Sequence, residues 1–378
     1  MNVLLMLSGL DGVNYHRLAV PYMDMARNGL ITLATEINKP IRVDDDKYPK
    51  HITTKVRAFD SDKKEYTNEW HSVCDIMHTI PDYILKEIDV CVFNRNISPT
   101  LKPEFAFQRL KKFGIKVICD MDDSPVLNSK HVLKSSYNKM NMEACVFHNC
   151  IASDAITCTT HTLKNELQSY IGVEKKIVVI KNAIDKNDTQ FAEYDKSKYE
   201  AQLFGWMGSI THFDDLKLLS KAYKLSHKPK LSLIGTKGDR VWDKVMDLFD
   251  GENVVFQEPK PVHAYSSLMY DYDIMLIPLL NNKFNRCKSE LKMLEAAALG
   301  KAVIVSDVYP YKNLIQNGRN CIAVKNTPED WANAIDKIAK NKEYRDYLAN
   351  NLMQDVDKLY NLENENKKRR NLLLQLCK

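Results

Sequence analysis

The residue types most able to do chemistry in this chain are Arg286, Lys288, Ser289, Glu290 and Glu295. They stand where an apolar run, Asp273–Leu280, gives way to a polar loop and then to a helical pattern from about Lys288 to Leu299, which Gly300 stops. A second apolar run, Ala302–Ser306, follows. The order strand, helix, strand places the loop and the helix start at the carboxyl end of a strand, where open α/β sheets bind ligands. Unbonded N–H groups at a helix start, with Arg286 and Lys288 beside them, suit a phosphate. Glu295 comes seven residues after Lys288 and so faces roughly the same way two turns on. A carboxylate there can accept hydrogen bonds from sugar hydroxyls. Phosphate at one end and hydroxyls at the other describe a nucleotide or nucleotide-sugar site. Lys292, one turn before Glu295, has the spacing to pair with a neighbouring acid.

Two more polar groups follow apolar runs. Asp120, Asp122 and Asp123 come directly after Ile115–Cys119. Carboxylates so placed could hold a divalent cation, serve as a base or bind an acceptor hydroxyl, or cap a helix, because Asp-Ser-Pro favours a turn. Near the N-terminus, Val3–Leu7 leads into Ser8-Gly-Leu-Asp-Gly-Val-Asn-Tyr-His-Arg17. Gly9 and Gly12 permit a tight turn and close approach of a ligand to the backbone, and Asn14, Tyr15, His16 and Arg17 supply donors at its mouth. A plain helix start with polar surface residues is the competing reading; four donors after a glycine turn favour a site.

The elements that must position these groups repeat a single pattern. Apolar runs at 3–7, 89–95, 115–119, 155–159 and 177–180 read as buried strands, with helices at about 103–113, 131–149 and 161–170 and one from the N-terminal turn to about Asn28. Residues 30–70 form a polar, strand-rich excursion suited to an acceptor-side flap, and a helix is expected over 71–86. A polar stretch without periodicity, Lys186–Lys198, reads as a linker. Strands at about 202–207, 230–234, 253–256, 273–280, 302–305 and 321–324 then alternate with helices at 213–225, 240–250, 262–270, 288–299 and 328–340. Alternation of this kind predicts parallel sheets with helices on both faces. The expected domains are 1–185 and 201–341, joined by a linker over 186–200. A charged helical tail at 342–378 is suited to packing back on the N-terminal domain.

Composition bounds the class. At 378 residues, 44% hydrophobic and 27% charged, the chain suits two ordinary globular domains. No apolar run approaches a membrane span, and Met1–Ser8 reads as a first strand rather than a leader. The nine cysteines lack CxxC pairs and zinc-type spacing, and several fall inside strand runs, as expected of reduced core residues in a cytoplasmic protein. The net charge of +5 is not gathered into a basic domain, so it permits a polyanionic partner without requiring one.

Five segments in order resemble the GT-B glycosyltransferases, in particular those of glycosyltransferase family 4. They are Asn182-Ala-Ile-Asp185, Gly205-Trp-Met-Gly-Ser209, Leu233-Ile-Gly235, Lys288–Gly300 with Val303-Ile-Val-Ser306, and Asn317-Gly-Arg-Asn-Cys-Ile322. The family's usual pair of glutamates separated by seven residues is broken: that position before Glu295 holds Cys287, and Glu290 does not restore the spacing. The ordinary first-glutamate contact with the sugar is therefore not carried over. A phage-encoded subset, with Asn and Lys in this loop and a motif like Asp120-Met-Asp-Asp123, is more similar.

The resemblance implies a fold of two Rossmann-like domains whose parallel sheets face a cleft, with a helical C-terminal tail. It implies a hexosyl- or pentosyltransferase that takes a nucleoside-diphosphate sugar, UDP-linked by preference, and retains anomeric configuration. Glu295 would hold the ribose. Arg286, Lys288, Ser289, Glu290, Lys237, Gly208 and Ser209 would hold the diphosphate. Because that puts the diphosphate in the second domain, a metal at the aspartates is not favoured and no cofactor is required. Asp122, Asp123 and His16 are then expected nearest the chemistry, with Gly12, Asn14, Tyr15, Arg17 and Asp120 on the acceptor side. A 5-hydroxymethylpyrimidine in phage DNA is the leading acceptor, in the host cytoplasm and without membrane insertion. A surface polysaccharide or small molecule is the alternative, and a non-catalytic nucleotide-sugar-binding module is the non-enzymatic one.

Overall fold

The computed structural model describes residues 1–7, 11–37, 52–56, 59–60, 65–66, 80, 82–97, 103–172, 174–188, 191, 202–235, 240–249, 251 and 253–378. The expected helix over 71–86 is described only at its end, Asp82–Leu85. Ser8, Gly9, Lys237 and most of the expected linker fall outside the described residues. The chain divides into two compact units: Met1–Val126 with Ser135–Asn182 and Leu362–Lys378, and Leu127–Lys134 with Ala183–Asn361.

The first unit is built on strands β1 (Asn2–Leu7), β2 (Thr32–Ile37), β3 (Ile52–Val56), β6 (Val90–Asn94), β7 (Lys116–Met121), β8 (Ala155–Cys158) and β9 (Ile177–Val179). Between β3 and β6, β4 (Phe59–Asp60) and β5 (Glu65–Tyr66) make a small antiparallel pair. The seven-stranded sheet runs β3-β2-β1-β6-β7-β8-β9, every pairing parallel. Parallel strands covered on both faces need continuous apolar runs, and β1 and β6 meet that requirement, with Val3–Leu7 and Val90–Phe93 all buried. The order reverses direction between β1 and β6, so Leu7 and Asn94 flank the switch point.

The second unit repeats the plan with β10 (Gln202–Met207), β11 (Leu231–Ile234), β12 (Val254–Gln257), β13 (Tyr272–Ile277), β14 (Ala302–Ser306) and β15 (Ile322–Val324). Their order is β12-β11-β10-β13-β14-β15, again all parallel. Here the reversal lies between β10 and β13. One face packs Met207, Ile277, Met293, Leu294, Val303 and Leu352; the other packs Phe204, Trp206, Leu219, Trp242 and Trp331.

Several expected helices are observed with altered bounds, each with a local cause. The helix expected from Lys288 begins later, at Leu291–Ala298, and a one-turn helix not expected there, Lys283–Arg286, precedes it; Gly300 ends the later helix in the left-handed region at φ 59°. The 131–149 pattern splits into Lys134–Lys139 and Met142–Ala152 around Asn141 at φ 49°. Five residues of the N-terminal helix, Tyr15–Ala19, widen into a π-helical turn. The tail forms two helices, Lys342–Leu359 and Leu362–Leu376. The last lies in the first unit, where Leu372 and Leu373 join the core of β1 and Val20–Arg27, Asn366 Nδ2 donates to Asp24 Oδ2 at 2.7 Å, and the Lys181 amide donates to Glu365 Oε2 at 2.8 Å. Among the described residues no helix is long and apolar enough to cross a membrane.

Gly205 gives the second sheet its sharpest packing constraint. A Cβ built there would lie 2.0 Å from the Tyr272 ring, which fills the space instead. Gly205→Ala is therefore expected to destabilise the protein by at least the roughly 1–3 kcal/mol of an overpacked core. The reading is a lower urea midpoint at unchanged slope; an unchanged midpoint would show that the ring does not need the glycine.

Candidate functional site

The loop leaving β13 is the part of the second unit on which the candidate residues hang, and the backbone groups of Leu279 and Leu280 in it are bonded by side chains. The Leu279 amide donates to Ser306 Oγ at 2.8 Å, and Asn326 Nδ2 donates to the Leu279 carbonyl at 2.8 Å. Ser306 Oγ in turn donates to Asn326 Oδ1 at 2.6 Å. The Leu280 amide donates to Asp215 Oδ1 at 2.7 Å, and the Leu280 carbonyl accepts from Asn285 Nδ2 at 2.9 Å. Asn282 then caps the one-turn helix, accepting from the Asn285 amide at 2.8 Å. Three neighbouring segments thus hold two consecutive residues just outside the carboxyl end of a strand at the switch point.

The predicted phosphate binders take up different places around that loop. Arg286 is exposed, and its Nε donates to Asn281 Oδ1 at 3.0 Å. Lys288 precedes the helix rather than starting it, and its ammonium lies 4.8 Å from the Phe284 ring centroid, while Phe284 meets His131 edge-on at 5.1 Å. Glu290 is buried at the N-cap position; its carbonyl accepts from the Met293 amide at 2.8 Å, and its side chain makes no capping bond. Ser289 lies beside it, half-buried. Glu295 is buried on the second turn, close enough to Tyr265 and Tyr272 that its charge adds to burial in raising both phenols.

Asp215 and His212 are functional candidates that sequence reading passed over, and Lys292 is one that it assigned to ordinary pairing. All three converge on the Gly208–Ser209 end of β10. Asp215 is 3% exposed and shares its second oxygen with His212 Nδ1 at 2.7 Å. Burial pushes its pKa up to about 6, against the lowering effects of the Leu280 amide, Lys292 and Lys288. Lys292 reaches over the Trp206 ring, 5.0 Å from its centroid. Burial, and then the charge of Lys288, lower its pKa to about 8, while Asp215 and Glu295 act the other way. The findable signal for the first pair was a histidine and an aspartate three residues apart, just after the first strand of a Rossmann half.

In the first unit the aspartates are clamped. Arg17, 2% exposed, grips Asp120 with both arms, Nη2 to Oδ1 at 2.6 Å and Nε to Oδ2 at 3.0 Å. Its Nη1 donates to the Ile180 carbonyl at 2.7 Å, and Thr157 Oγ1 donates to Asp120 Oδ1 at 2.6 Å. Arg95 binds Asp122 in the same bidentate way, with both bonds at 2.6 Å, and lies 3.5 Å from Asp123. Burial alone would raise the Asp122 carboxyl, but Arg95 and Asn94 hold it below the usual carboxylate range. Arg95 itself sits at φ 54°, a conformation uncommon outside glycine and concentrated at functional sites.

The π-helical turn carries His16 and Arg17 inward. His16 is buried, edge-on to Tyr15 at 5.3 Å, and Asn14 is held by Asp11, whose Oδ1 accepts from the Asn14 amide at 2.8 Å. Gly12 adopts no left-handed conformation, and a Cβ there would meet nothing within 4 Å; this turn does not itself require a glycine. Among the described residues no three His, Cys, Asp or Glu side chains gather as ligands for one ion.

Residues 201–341 match the family model described as Glycosyl transferases group 1. The chain is 23% identical over 272 residues to an uncharacterized glycosyltransferase of Methanocaldococcus jannaschii, MJ1607, covering 66% of this chain and 68% of that one. The sucrose-phosphate synthase (tll1590) structure from Thermosynechococcus elongatus superposes with a TM-score of 0.68 at 13% identity, over 100% of this chain and 99% of the other. Anabaena Alr3699/HepE in complex with UDP and glucose gives 0.67 at 11% identity, over 99% and 100%. The second unit thus carries a glycosyl transferases group 1 domain, within a chain that has the two-Rossmann GT-B fold and a glycosyltransferase homologue.

Proposed function

We propose that this protein is a glycosyltransferase that moves a sugar from a nucleoside-diphosphate sugar to a hydroxyl acceptor. The observation that carries the reading is the gathering of Glu295, Lys288 and Gly208 around Lys292 at the switch-point edge of the segment that matches the group 1 model. UDP is the nucleotide to test first, because the similar Anabaena structure holds UDP and glucose. Glu295 binds the ribose. Lys288, with the Ser289 and Glu290 backbone and the Gly208–Ser209 turn, faces the diphosphate, and Arg286 acts at its rim. Glycosyl transfer needs charge placed where the leaving diphosphate develops it, together with an aligned acceptor.

The acceptor belongs to the first unit, beside His16, Arg17 and the aspartates. A carboxylate held below its ordinary pKa is a weak base near neutrality. Asp122 therefore acts by placing Arg95 rather than as a base, and Asp123, also beside Arg95, acts by placing an acceptor hydroxyl, which fits retention of configuration without a dedicated base. The leading acceptor is a 5-hydroxymethylpyrimidine in DNA; a surface polysaccharide or small molecule is the alternative.

Incubation with a panel of nucleotide-sugars and acceptors, hydroxymethylated DNA included, is expected to yield a product heavier by one sugar in mass spectra. Glu295→Ala should raise the donor KM at least tenfold or abolish turnover while the circular dichroism stays that of the wild type; unchanged kinetics would remove the donor-site assignment. If duplex DNA is the acceptor, its affinity should fall steeply between about 50 and 200 mM salt, and lack of binding at low salt would leave the polysaccharide or small molecule.

The pH dependence has a definite sign. Asp215 is protonated below about 6, where it loses charge toward His212 and the Leu280 amide. The donor kcat/KM, which reports the free enzyme, should rise through an acid limb near pH 6, and Asp215→Asn should remove that limb. The same raised pKa makes the folded state bind the proton more tightly than the unfolded chain, whose value is near 3.8. Global stability should therefore fall slightly as pH rises through that window, opposite in direction to activity. An acid limb that survives in Asp215→Asn would assign it to another group.

A further inference from the structure

Arg95 follows β6 with φ at 54°, a conformation in which Cβ crowds a carbonyl oxygen and glycine is the usual occupant. A glycine could not do what this residue does, because its guanidinium reaches Asp122 through two bonds. The bend is instead held from three sides. The Arg95 amide donates to the Asp120 carbonyl at 3.0 Å, and the Asn96 amide closes a three-residue turn onto the Asn94 carbonyl at 2.5 Å. The third hold comes from far along the chain. Asn149 Nδ2 donates to the Arg95 carbonyl at 2.9 Å and to Asn96 Oδ1 at 3.1 Å.

Asn149 lies on the helix Met142–Ala152, on the buried face it shares with Val146 and Cys150, and is 0% exposed. Packing alone would put an apolar side chain there. The amide instead leaves its own Oδ1 buried and without a hydrogen-bond partner among the described residues. A stranded oxygen is a net cost that a leucine of similar volume would not carry. Only the two N–H bonds offset it. The Arg95 carbonyl can only accept, which fixes which end of the amide points toward the bend. The residue type at 149 is therefore explained by its donors, and what they hold is a strained backbone that persists only where its surroundings over-determine it.

We infer that Asn149 is a positioning residue for the acceptor side: by pinning the Arg95 carbonyl it aims the guanidinium that holds Asp122 and stands beside Asp123. This rests on the acceptor reading above and extends it to a side chain that has no part in it there. Released from Asn149, Arg95 relaxes toward negative φ, and its guanidinium leaves the line of the Asp122 carboxylate.

Two measurements on the full chain test this. The Asp122 carboxyl, assigned in carbon NMR spectra by its loss in Asp122→Asn, titrates below the ordinary range in the wild type. Asn149→Leu, which keeps the volume and removes both donors, should move that titration upward, because Arg95 no longer faces the carboxylate. With the nucleotide-sugar and acceptor that react in the panel above, Asn149→Leu should raise the acceptor KM about tenfold, the net worth of one hydrogen bond, and leave the donor KM within about twofold. In an Arg95→Ala background the same replacement should add nothing further to the acceptor KM, since the residue it acts through is gone. Where Asn149→Leu does not fold, judged by circular dichroism, Asn149→Ala serves for the same readings. A folded variant that melts lower but keeps the wild-type acceptor KM makes Asn149 a fold anchor and overturns the inference, leaving the acceptor reading intact. Equal losses with and without Arg95 overturn it as well. If the wild type transfers sugar to no acceptor in the panel, the acceptor reading itself falls and the positioning role with it.

Discussion

Asp215 is the constraint on which the second unit's functional edge depends. Its two oxygens are spent on the Leu280 amide and on His212, so one buried carboxylate joins the strand end of β13 to the helix that follows β10. A carboxylate removed from water is costly unless it is bonded; burial pushes the Asp215 pKa up to about 6, and the Leu280 amide with the charges of Lys292 and Lys288 works against that rise. The result is a loop in which the backbone groups of Leu279 and Leu280 are committed within the fold. Rigid loops of this kind keep a binding constellation within the narrow tolerance that transfer chemistry needs.

The first unit reaches rigidity differently. Its strand-end carboxylates are each gripped by a guanidinium through two parallel bonds, the strongest side-chain arrangement available. Burial of Arg17 and Asp120 makes that pair expensive to break from one side only. The C-terminal helix adds Arg369, also buried, whose pKa falls to about 10 because burial and then the charge of Arg17 oppose its cation. Asn366 and Glu365 beside it bond to the Val20–Arg27 helix and to the Lys181 amide. The last helix is therefore specified by polar keys as well as by Leu372 and Leu373.

Much of this fold was legible because its strands are buried on both faces. Runs such as Val90–Phe93 and Ala302–Val305 have no polar alternation to confuse with a surface strand, and their spacing fixes a parallel sheet. Helix starts were less legible. The amphipathic pattern from Lys288 runs through Ser289 and Glu290 without a break, and only the Asn282 cap shows that a separate turn comes first. The candidate residues divided in the same way. Glu295 was singled out by helical phase, seven residues after Lys288, and the structure buries it on the second turn. Asp215 was missed because Asp214-Asp215 at a helix start resembles ordinary first-turn acids; only burial separates the exposed partner of Lys217 from the one that holds Leu280.

The two carboxyl edges also differ in what they leave unsatisfied, and that difference bears on which of them meets an anion. In the first unit Asp120 and Asp122 answer Arg17 and Arg95 at hydrogen-bond distance, so their charges are neutralised within the fold and a phosphate would have to displace a bonded carboxylate to reach either guanidinium. In the second unit the acids near Lys292 act on it through space, without a bond. Burial, and then the charge of Lys288, depress the Lys292 pKa to about 8, and an anion beside it would raise it again. Anion binding and protonation of Lys292 would then reinforce each other, which is the physical support for assigning the anion to the second edge in the proposed reading.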